Sequence, residues 1–136
     1  MTDYAMLLNE SNLKATFQRM QLLESIEEHG HMSIEEIYNE VVKTYPSLSL
    51  ATIYKNIIIM VESGVLTEVP IEGKKPKYEL RKEDHVHLIC IECGEVEDRP
   101  RTEETDTILN RLTSSEHFKL TKQQINLYGV CEYCQE

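Results

Sequence analysis

The fold of this chain is decided by two stretches of equal spacing, Cys90-Ile91-Glu92-Cys93 and Cys131-Glu132-Tyr133-Cys134. Together they contain all four cysteines of the sequence. A tetrahedral zinc ion needs four ligands, and two Cys-x-x-Cys pairs supply four thiolates with no thiol left over. Gly94 follows the first pair, where a residue without a Cβ lets the backbone turn tightly around a metal. The spacing therefore predicts a structural zinc site bound by Cys90, Cys93, Cys131 and Cys134.

A redox dithiol or a pair of disulfides is the alternative use of the same cysteines. Residues 1–10 lack the pattern of a secretory signal, so we expect the protein in the reducing cytoplasm, where stable disulfides are rare. A thiol enzyme would also need an open zinc position or a reactive thiolate with its base. The sequence offers no such pair beyond the ligands themselves. We therefore expect no enzymatic activity and no small-molecule substrate.

Length and charge limit the class of protein further. The chain has 136 residues, a formal net charge of −10 and 40% hydrophobic residues. No uncharged apolar run approaches the roughly 18 residues that span a bilayer, so we expect no membrane partner. Residues 1–82 carry nine Lys and Arg against twelve Asp and Glu, whereas residues 83–136 carry five against twelve. The acidic charge is concentrated in the half that contains the cysteines, which leaves room for basic patches on the first half.

The first half has the element order of a winged helix-turn-helix. Apolar residues recur at three- and four-residue steps over Leu7–Glu28, which predicts one or two helices. Ser33 precedes Glu36 by three residues, the pattern of a capping box at the start of the next helix. A further helix is predicted over Ser49–Ser63, and the alternating segments within residues 65–80 predict a hairpin with a basic turn. The alternative is an ordinary helical bundle with a solvated polar face.

The second half is predicted to be a small α/β unit closed by zinc. Strands are expected at residues 85–91 and 95–99, a helix at 103–116 with Ile108, Leu109 and Leu112 inward, and a strand at 118–130. The 37 residues between the two cysteine pairs form a large loop, so metal binding should contribute folding free energy. These patterns predict a boundary between domains of residues 1–82 and 83–136.

A second group of metal ligands begins at His85-Val86-His87. Side chains alternate along a strand, so both imidazoles lie on one face. Nearby carboxylates can complete a nitrogen and oxygen shell that suits iron, manganese or zinc. The alternative is a surface strand that carries two histidines. The candidate acids are Glu79, Asp84, Glu97 and Asp98.

Three stretches resemble the ferric uptake regulator family of bacterial metal-dependent repressors. They are Leu50–Tyr54 with Glu62–Gly64, Asp84–Gly94 and Leu127–Cys134, and the resemblance extends from about Leu13 to Cys134. It implies an α+β fold in which an N-terminal winged helix-turn-helix DNA-binding domain precedes a small α/β dimerisation domain with a four-cysteine structural zinc. It also implies a homodimer that binds double-stranded operator DNA.

The resemblance further implies a regulatory metal site with ligands from both domains. Matched position by position, the family's ligands are His31, Glu79, His85, His87 and Asp98. Loss of the metal then releases the operator. Peroxide-sensing members resemble this chain in having aspartate at the position of Asp98, although Glu97 beside it leaves the choice of ligand open.

Peroxide sensing in such members implies bound Fe(II), hydrogen peroxide and oxidation of a ligand histidine. By resemblance that histidine is His31 or His85, whereas bound Mn(II) supports DNA binding without the oxidation. Iron or zinc sensing by the same set of ligands is the alternative. For contacts with DNA we expect residues with hydroxyl, ammonium or guanidinium groups. They are Lys14, Arg19, Thr52, Tyr54, Lys55, Lys74, Lys75 and Lys77.

Overall fold

A computed structural model of the chain describes residues 2–114 and 117–135. The chain divides into two compact units, Met1–Arg81 and Lys82–Glu136. Lys82 belongs to the second unit, one residue before the predicted boundary, and its Nζ is bonded to Asp98 of that unit. Helices dominate the first unit and a sheet dominates the second, so the fold is α+β, as predicted.

The first unit contains helices followed by a two-stranded antiparallel sheet. Its elements are α1 (Tyr4–Glu10), α2 (Phe17–His29), α3 (Ile34–Val41), α4 (Leu50–Glu62), β1 (Leu66–Val69) and β2 (Lys77–Leu80). Each helix begins at a side-chain oxygen that accepts a hydrogen bond from a backbone N–H of its first turn. The predicted capping box of Ser33 and Glu36 is confirmed, and Ser49 caps α4.

Aliphatic side chains of α2, α3 and α4 form the core of the first unit. The exposed fraction is 0% at Ile26, Ile37 and Ile57, one residue from each helix. Full burial of such a side chain stabilises the fold by about 1.5–3 kcal/mol. Leu50 and Tyr54 of α4 lie outside this core and are 46% and 56% exposed.

The segment before α3 is attached to the hairpin by one backbone bridge. The N–H of Met32 donates to the carbonyl of Tyr78 over 3.1 Å, and the N–H of Tyr78 donates to the carbonyl of Met32 over 2.7 Å. This pairing holds the neighbouring residues of the two segments close to each other. His31 is thereby held beside Glu79 of β2.

The second unit is built on a three-stranded sheet with one helix in the chain between its last two strands. Its elements are β3 (His85–Cys90), β4 (Val96–Pro100), α5 (Glu103–Thr113) and β5 (Ile125–Gly129). The strand order is β4-β3-β5, and β3 pairs antiparallel with β4 and parallel with β5. Because β3 is central, its side chains have neighbours from both other strands.

Two local predictions for the second unit were wrong. The strand predicted over residues 118–130 is confined to Ile125–Gly129, because the polar run Thr121–Gln124 lacks alternating apolar residues. Of the three residues of α5 that were expected to face inward, Leu109 is half-buried, whereas Ile108 and Leu112 are 57% and 74% exposed. The predicted end of that helix, at residues 115 and 116, lies outside the described residues. Among the described residues, no helix is long and apolar enough to cross a bilayer.

Candidate metal centres and nucleic-acid interface

The four cysteine sulfurs converge at one end of the sheet in the second unit. The sulfur atoms of Cys90, Cys93, Cys131 and Cys134 all lie within 4.8 Å of one another. Strands β3 and β5 run parallel, with Cys90 opposite Gly129, so each strand delivers a cysteine pair to the same end. Zn–S bonds of about 2.3 Å in a tetrahedron place sulfur atoms about 3.8 Å apart. The Sγ atoms of Cys93 and Cys131 are 3.8 Å apart, so the arrangement fits structural zinc.

The pKa values of these thiols depend on their backbone hydrogen bonds and on how closely the sulfur atoms lie. The backbone N–H of Cys131 donates to Cys90 Sγ over 3.4 Å, and this bond is the largest cause that lowers the pKa of Cys90 to about 6. The neighbouring thiol of Cys131 raises the pKa of Cys134 to about 12. Four thiolates at this spacing repel one another unless a cation lies between them. A divalent metal would allow all four to ionise.

A second cluster in the same unit brings together two imidazoles and a carboxylate. The Nε2 atoms of His85 and His87 are 2.8 Å apart. The Oδ1 atom of Asp98 lies 3.3 Å from Nε2 of His85 and 3.6 Å from Nε2 of His87. Strand register explains the arrangement, because Asp98 of β4 is directly opposite His87 of β3. The donor atoms are nitrogen and oxygen, which suit iron, manganese or zinc.

Hydrogen bonds fix the orientation of both imidazoles. Nδ1 of His87 bonds the amide oxygen of Asn126 over 2.8 Å, and Nδ1 of His85 bonds the carbonyl oxygen of Glu83 over 2.8 Å. Both partners only accept, so Nδ1 donates in each ring and Nε2 keeps its lone pair in the neutral form. Two nitrogen lone pairs and a carboxylate oxygen are therefore directed at the same small volume, which suits a cation.

Asn126 is a functional candidate that sequence reasoning missed. It lies on β5 directly opposite His87, on the side of β3 away from Asp98. The indication in the sequence was indirect: two strands that both lead into cysteine pairs of one zinc site must run side by side. Their register then pairs position 87 with position 126.

The two adjacent acids of β4 lie on different faces of the strand. Asp98 is beside the histidines and 30% exposed at its side chain. Glu97 is 63% exposed, and its Oε2 accepts a hydrogen bond from Nη2 of Arg99 over 3.0 Å. Of these two acids, Asp98 is the one that the fold brings to His85 and His87.

The other two predicted ligands form a close pair within the first unit. Nε2 of His31 lies 2.6 Å from Oε2 of Glu79, and their side chains are 11% and 2% exposed. A carboxylate buried this deeply needs a cation or hydrogen-bond donors to offset its desolvation. His29 lies apart at the exposed end of α2, where Nδ1 bonds the carbonyl oxygen of Ser25.

The predicted DNA-contacting residues of α4 differ in exposure. Tyr54 is 56% exposed, and Lys55 is exposed. Thr52 is half-buried, and its hydroxyl accepts a hydrogen bond from the hydroxyl of Ser49 over 2.9 Å. Tyr54 and Lys55 therefore present the larger surface of this helix to solvent.

Arg19 joins α2 to α4. Its Nε donates to Oδ1 of Asn56 over 3.1 Å, and its Nη1 donates to the carbonyl oxygen of Lys14 over 3.0 Å. Lys14 itself is exposed. Arg19 thus holds the beginning of α2 against the face of α4 that was predicted to contact DNA.

The hairpin of β1 and β2, the predicted wing, carries three lysines (Lys74, Lys75 and Lys77) that differ in their surroundings. Lys74 is exposed. Lys75 makes an ion pair with Glu35, and Nζ of Lys77 lies 3.9 Å from Oε1 of Glu36. Because Glu35 and Glu36 belong to the first turn of α3, two of the three lysines are partly neutralised within the unit.

Comparisons with known proteins agree on one family. The sequence profile of the ferric uptake regulator family matches residues 10–128. The peroxide-responsive repressor PerR of Staphylococcus saprophyticus is 29% identical over 132 residues, which cover 95% of this chain and 87% of the relative. PerR of Staphylococcus aureus has the same identity and coverage.

Solved structures of two regulators are similar to the whole chain. The peroxide stress regulator of Campylobacter jejuni is 31% identical with a TM-score of 0.78, and the match covers 98% of this chain and 100% of that one. The ferric uptake regulator of Vibrio cholerae is 30% identical with a TM-score of 0.80, and the match covers 95% of this chain and 100% of that one.

Proposed function

Because the chain belongs to the ferric uptake regulator family, we propose that it is a metal-responsive repressor that binds operator DNA as a homodimer. One observation carries the proposal: Nε2 of His85, Nε2 of His87 and Oδ1 of Asp98 converge within 3.6 Å of one another. Outer hydrogen bonds to Nδ1 of each ring orient these donors for a cation.

The proposed regulatory site combines this cluster with the buried pair of the first unit. Its ligands are His31, Glu79, His85, His87 and Asp98, and its metal is Fe(II) or Mn(II). Nitrogen and carboxylate donors suit these ions, whereas the four thiolates elsewhere suit zinc. Since the ligands belong to both units, metal binding would restrict the DNA-binding unit relative to the dimerisation unit and so favour the conformation that fits an operator.

The second unit supplies apolar surface for the proposed homodimer. Ile108 and Leu112 of α5 are more than half exposed, as is Leu127 of β5. β5 is also an edge strand of the sheet. Exposed apolar side chains are common at protein interfaces, and a second copy of the chain offers the same surface around a two-fold axis.

The first unit supplies the proposed DNA contacts. Tyr54 and Lys55 of α4 would face the major groove, and Lys14 and the wing's Lys74 would contact phosphates. Thr52 is proposed as a further contact of the same helix. The other proposed phosphate contacts are Arg19, Lys75 and Lys77.

We assign the repressor to the peroxide-sensing branch. Asp98 and the likeness to peroxide-responsive repressors support this assignment. Bound Fe(II) would activate hydrogen peroxide for a two-electron oxidation of an adjacent imidazole, in which the ring gains one oxygen atom of the peroxide and the other oxygen leaves as water. His85 lines a cavity of about 890 Å³ in the second unit, so solvent and peroxide can reach it. An oxidised imidazole of His85 or His31 would no longer donate its lone pair, and repression would end.

A two-stage experiment tests the proposal. The zinc-loaded protein is first used to select duplexes from a random pool with and without Mn(II), and we expect recovered DNA to converge on a palindrome with Mn(II) alone. Release of that duplex is then measured after brief exposure of the Fe(II) and Mn(II) forms to hydrogen peroxide. We expect release from the Fe(II) form alone, with one added oxygen on His31 or His85 in mass spectrometry. Metal-dependent binding that peroxide does not affect would contradict the peroxide branch and indicate an iron sensor.

A further inference from the structure

The two oxygens of the Asp98 carboxylate have different neighbours. Oδ1 faces the histidines, at 3.3 Å from Nε2 of His85 and 3.6 Å from Nε2 of His87. Oδ2 accepts a hydrogen bond from Nζ of Lys82 over 2.5 Å. The side chains of Lys82 and Asp98 are 46% and 30% exposed. A cation of the protein itself thus lies against a proposed ligand of the regulatory metal.

A carboxylate binds a divalent metal through one oxygen or through both. An ammonium on one oxygen leaves the other for the metal, and its charge opposes the approach of a second cation. We propose that Lys82 is a positioning residue that restricts Asp98 to one metal-binding oxygen and weakens the binding of divalent metal at this cluster. This inference rests on the proposed function, because it concerns the regulatory metal of the same site.

The neighbouring arginines provide a contrast. Nη2 of Arg99 lies 3.0 Å from Oε2 of Glu97, and Nη2 of Arg101 lies 2.6 Å from Oδ1 of Asp106. These guanidinium groups are bonded to carboxylates outside the proposed ligand set. Arg99 adjoins Asp98 in sequence, and its Nη1 donates to the backbone carbonyl oxygen of Asp98 over 3.3 Å, so it serves as a local control of equal charge.

The test measures Mn(II) affinity of the zinc-loaded, full-length protein. Free Mn(II) is followed by electron paramagnetic resonance during titration of the wild type, Lys82→Met, Lys82→Arg and Arg99→Met. Zinc content and circular dichroism check that each variant is folded. Lys82→Met should bind Mn(II) about fivefold more tightly than the wild type, because the metal no longer competes with the Lys82 ammonium for Asp98. A fivefold change corresponds to the free energy of a partly exposed ion pair. Lys82→Arg and Arg99→Met should each stay within about twofold, because the first keeps a cation on Asp98 and the second removes a screened one.

Three results would overturn the inference. The first is that Lys82→Met binds Mn(II) no more tightly than the wild type. If His87→Ala abolishes Mn(II) binding in the same experiment, the proposed function still stands. The second is an equal gain for Arg99→Met, which would show a general effect of charge in place of a contact. The third is a wild type that takes up no Mn(II), which would overturn the proposed function together with this inference.

Discussion

The cysteine cluster and the histidine–carboxylate cluster lie on the same sheet but differ in every property that decides how firmly a metal is held. All four cysteines belong to one unit, and their sulfurs lie within 4.8 Å of one another. The proposed regulatory ligands are divided between the two units, with His31 and Glu79 in the first and the others in the second. A metal on the first cluster stabilises one unit, whereas a metal on the second would couple two.

The donor chemistry strengthens this difference. Thiolates bind zinc so firmly that the metal contributes to folding. Imidazole and carboxylate donors bind iron and manganese less firmly, and Asp98 is also bonded to Lys82. One cluster is therefore suited to permanent structure and the other to exchange.

The largest effect is expected from Cys131→Ser. Loss of one thiolate should remove the zinc, whose binding free energy in small zinc domains is about 10–16 kcal/mol. The second unit should then lose its cooperative thermal transition and its metal, as measured by circular dichroism and zinc analysis. Tyr133→Ser is the matched control, because Tyr133 lies in the same pair but is 89% exposed. Retention of zinc and of the transition by Cys131→Ser would contradict the structural role.

A smaller and more selective effect is expected from Asn126→Ala. The amide oxygen of Asn126 orients the His87 ring, and loss of such an outer partner lowers metal affinity by about 10- to 100-fold. Calorimetric titration with Mn(II) should show this loss while the zinc content stays that of the wild type. Asn9→Ala, at an exposed position of α1, should match the wild type in both measurements. Equal Mn(II) affinities for the two variants would remove Asn126 from the site.

The smallest effect is expected from Lys55→Ala. If Lys55 contacts a phosphate, affinity should fall similarly for all duplexes, and the slope of log K against log salt should decrease by about one. Fluorescence anisotropy at several salt concentrations measures the slope. Lys119→Ala, in the second unit, should leave it unchanged. An unaltered slope for Lys55→Ala would exclude a phosphate contact by this residue.

The parts of the molecule that sequence predicts best are those with local causes. Cysteine spacing located the zinc cluster, and hydroxyl caps located the starts of α3 and α4, because each depends on residues a few positions apart. The contact of Asn126 with His87 and that of Lys82 with Asp98 were missed, because both join residues that are distant in sequence and the first depends on strand register.

Local sequence patterns also failed to predict which charged side chains have partners and which apolar side chains are exposed. The basic wing suggested freely available lysines, but Lys75 and Lys77 have acidic partners on α3. The periodicity of α5 suggested a buried face, but Ile108 and Leu112 of this helix are exposed. Both differences concern tertiary surroundings, which the spacing of residues along one segment does not determine.

The central claim is that the histidine–carboxylate cluster controls DNA binding while the zinc stays in place. The direct measurement is fluorescence anisotropy of the selected duplex with wild type and His87→Ala, each with and without Mn(II), alongside zinc analysis. We expect Mn(II) to raise the affinity of the wild type for DNA by about 100-fold. A change of this size lies within the usual range of coupling between two ligand sites. His87→Ala should show no response to Mn(II) at unchanged zinc content. A full response of His87→Ala, or tight binding by the wild type without Mn(II), would contradict the account.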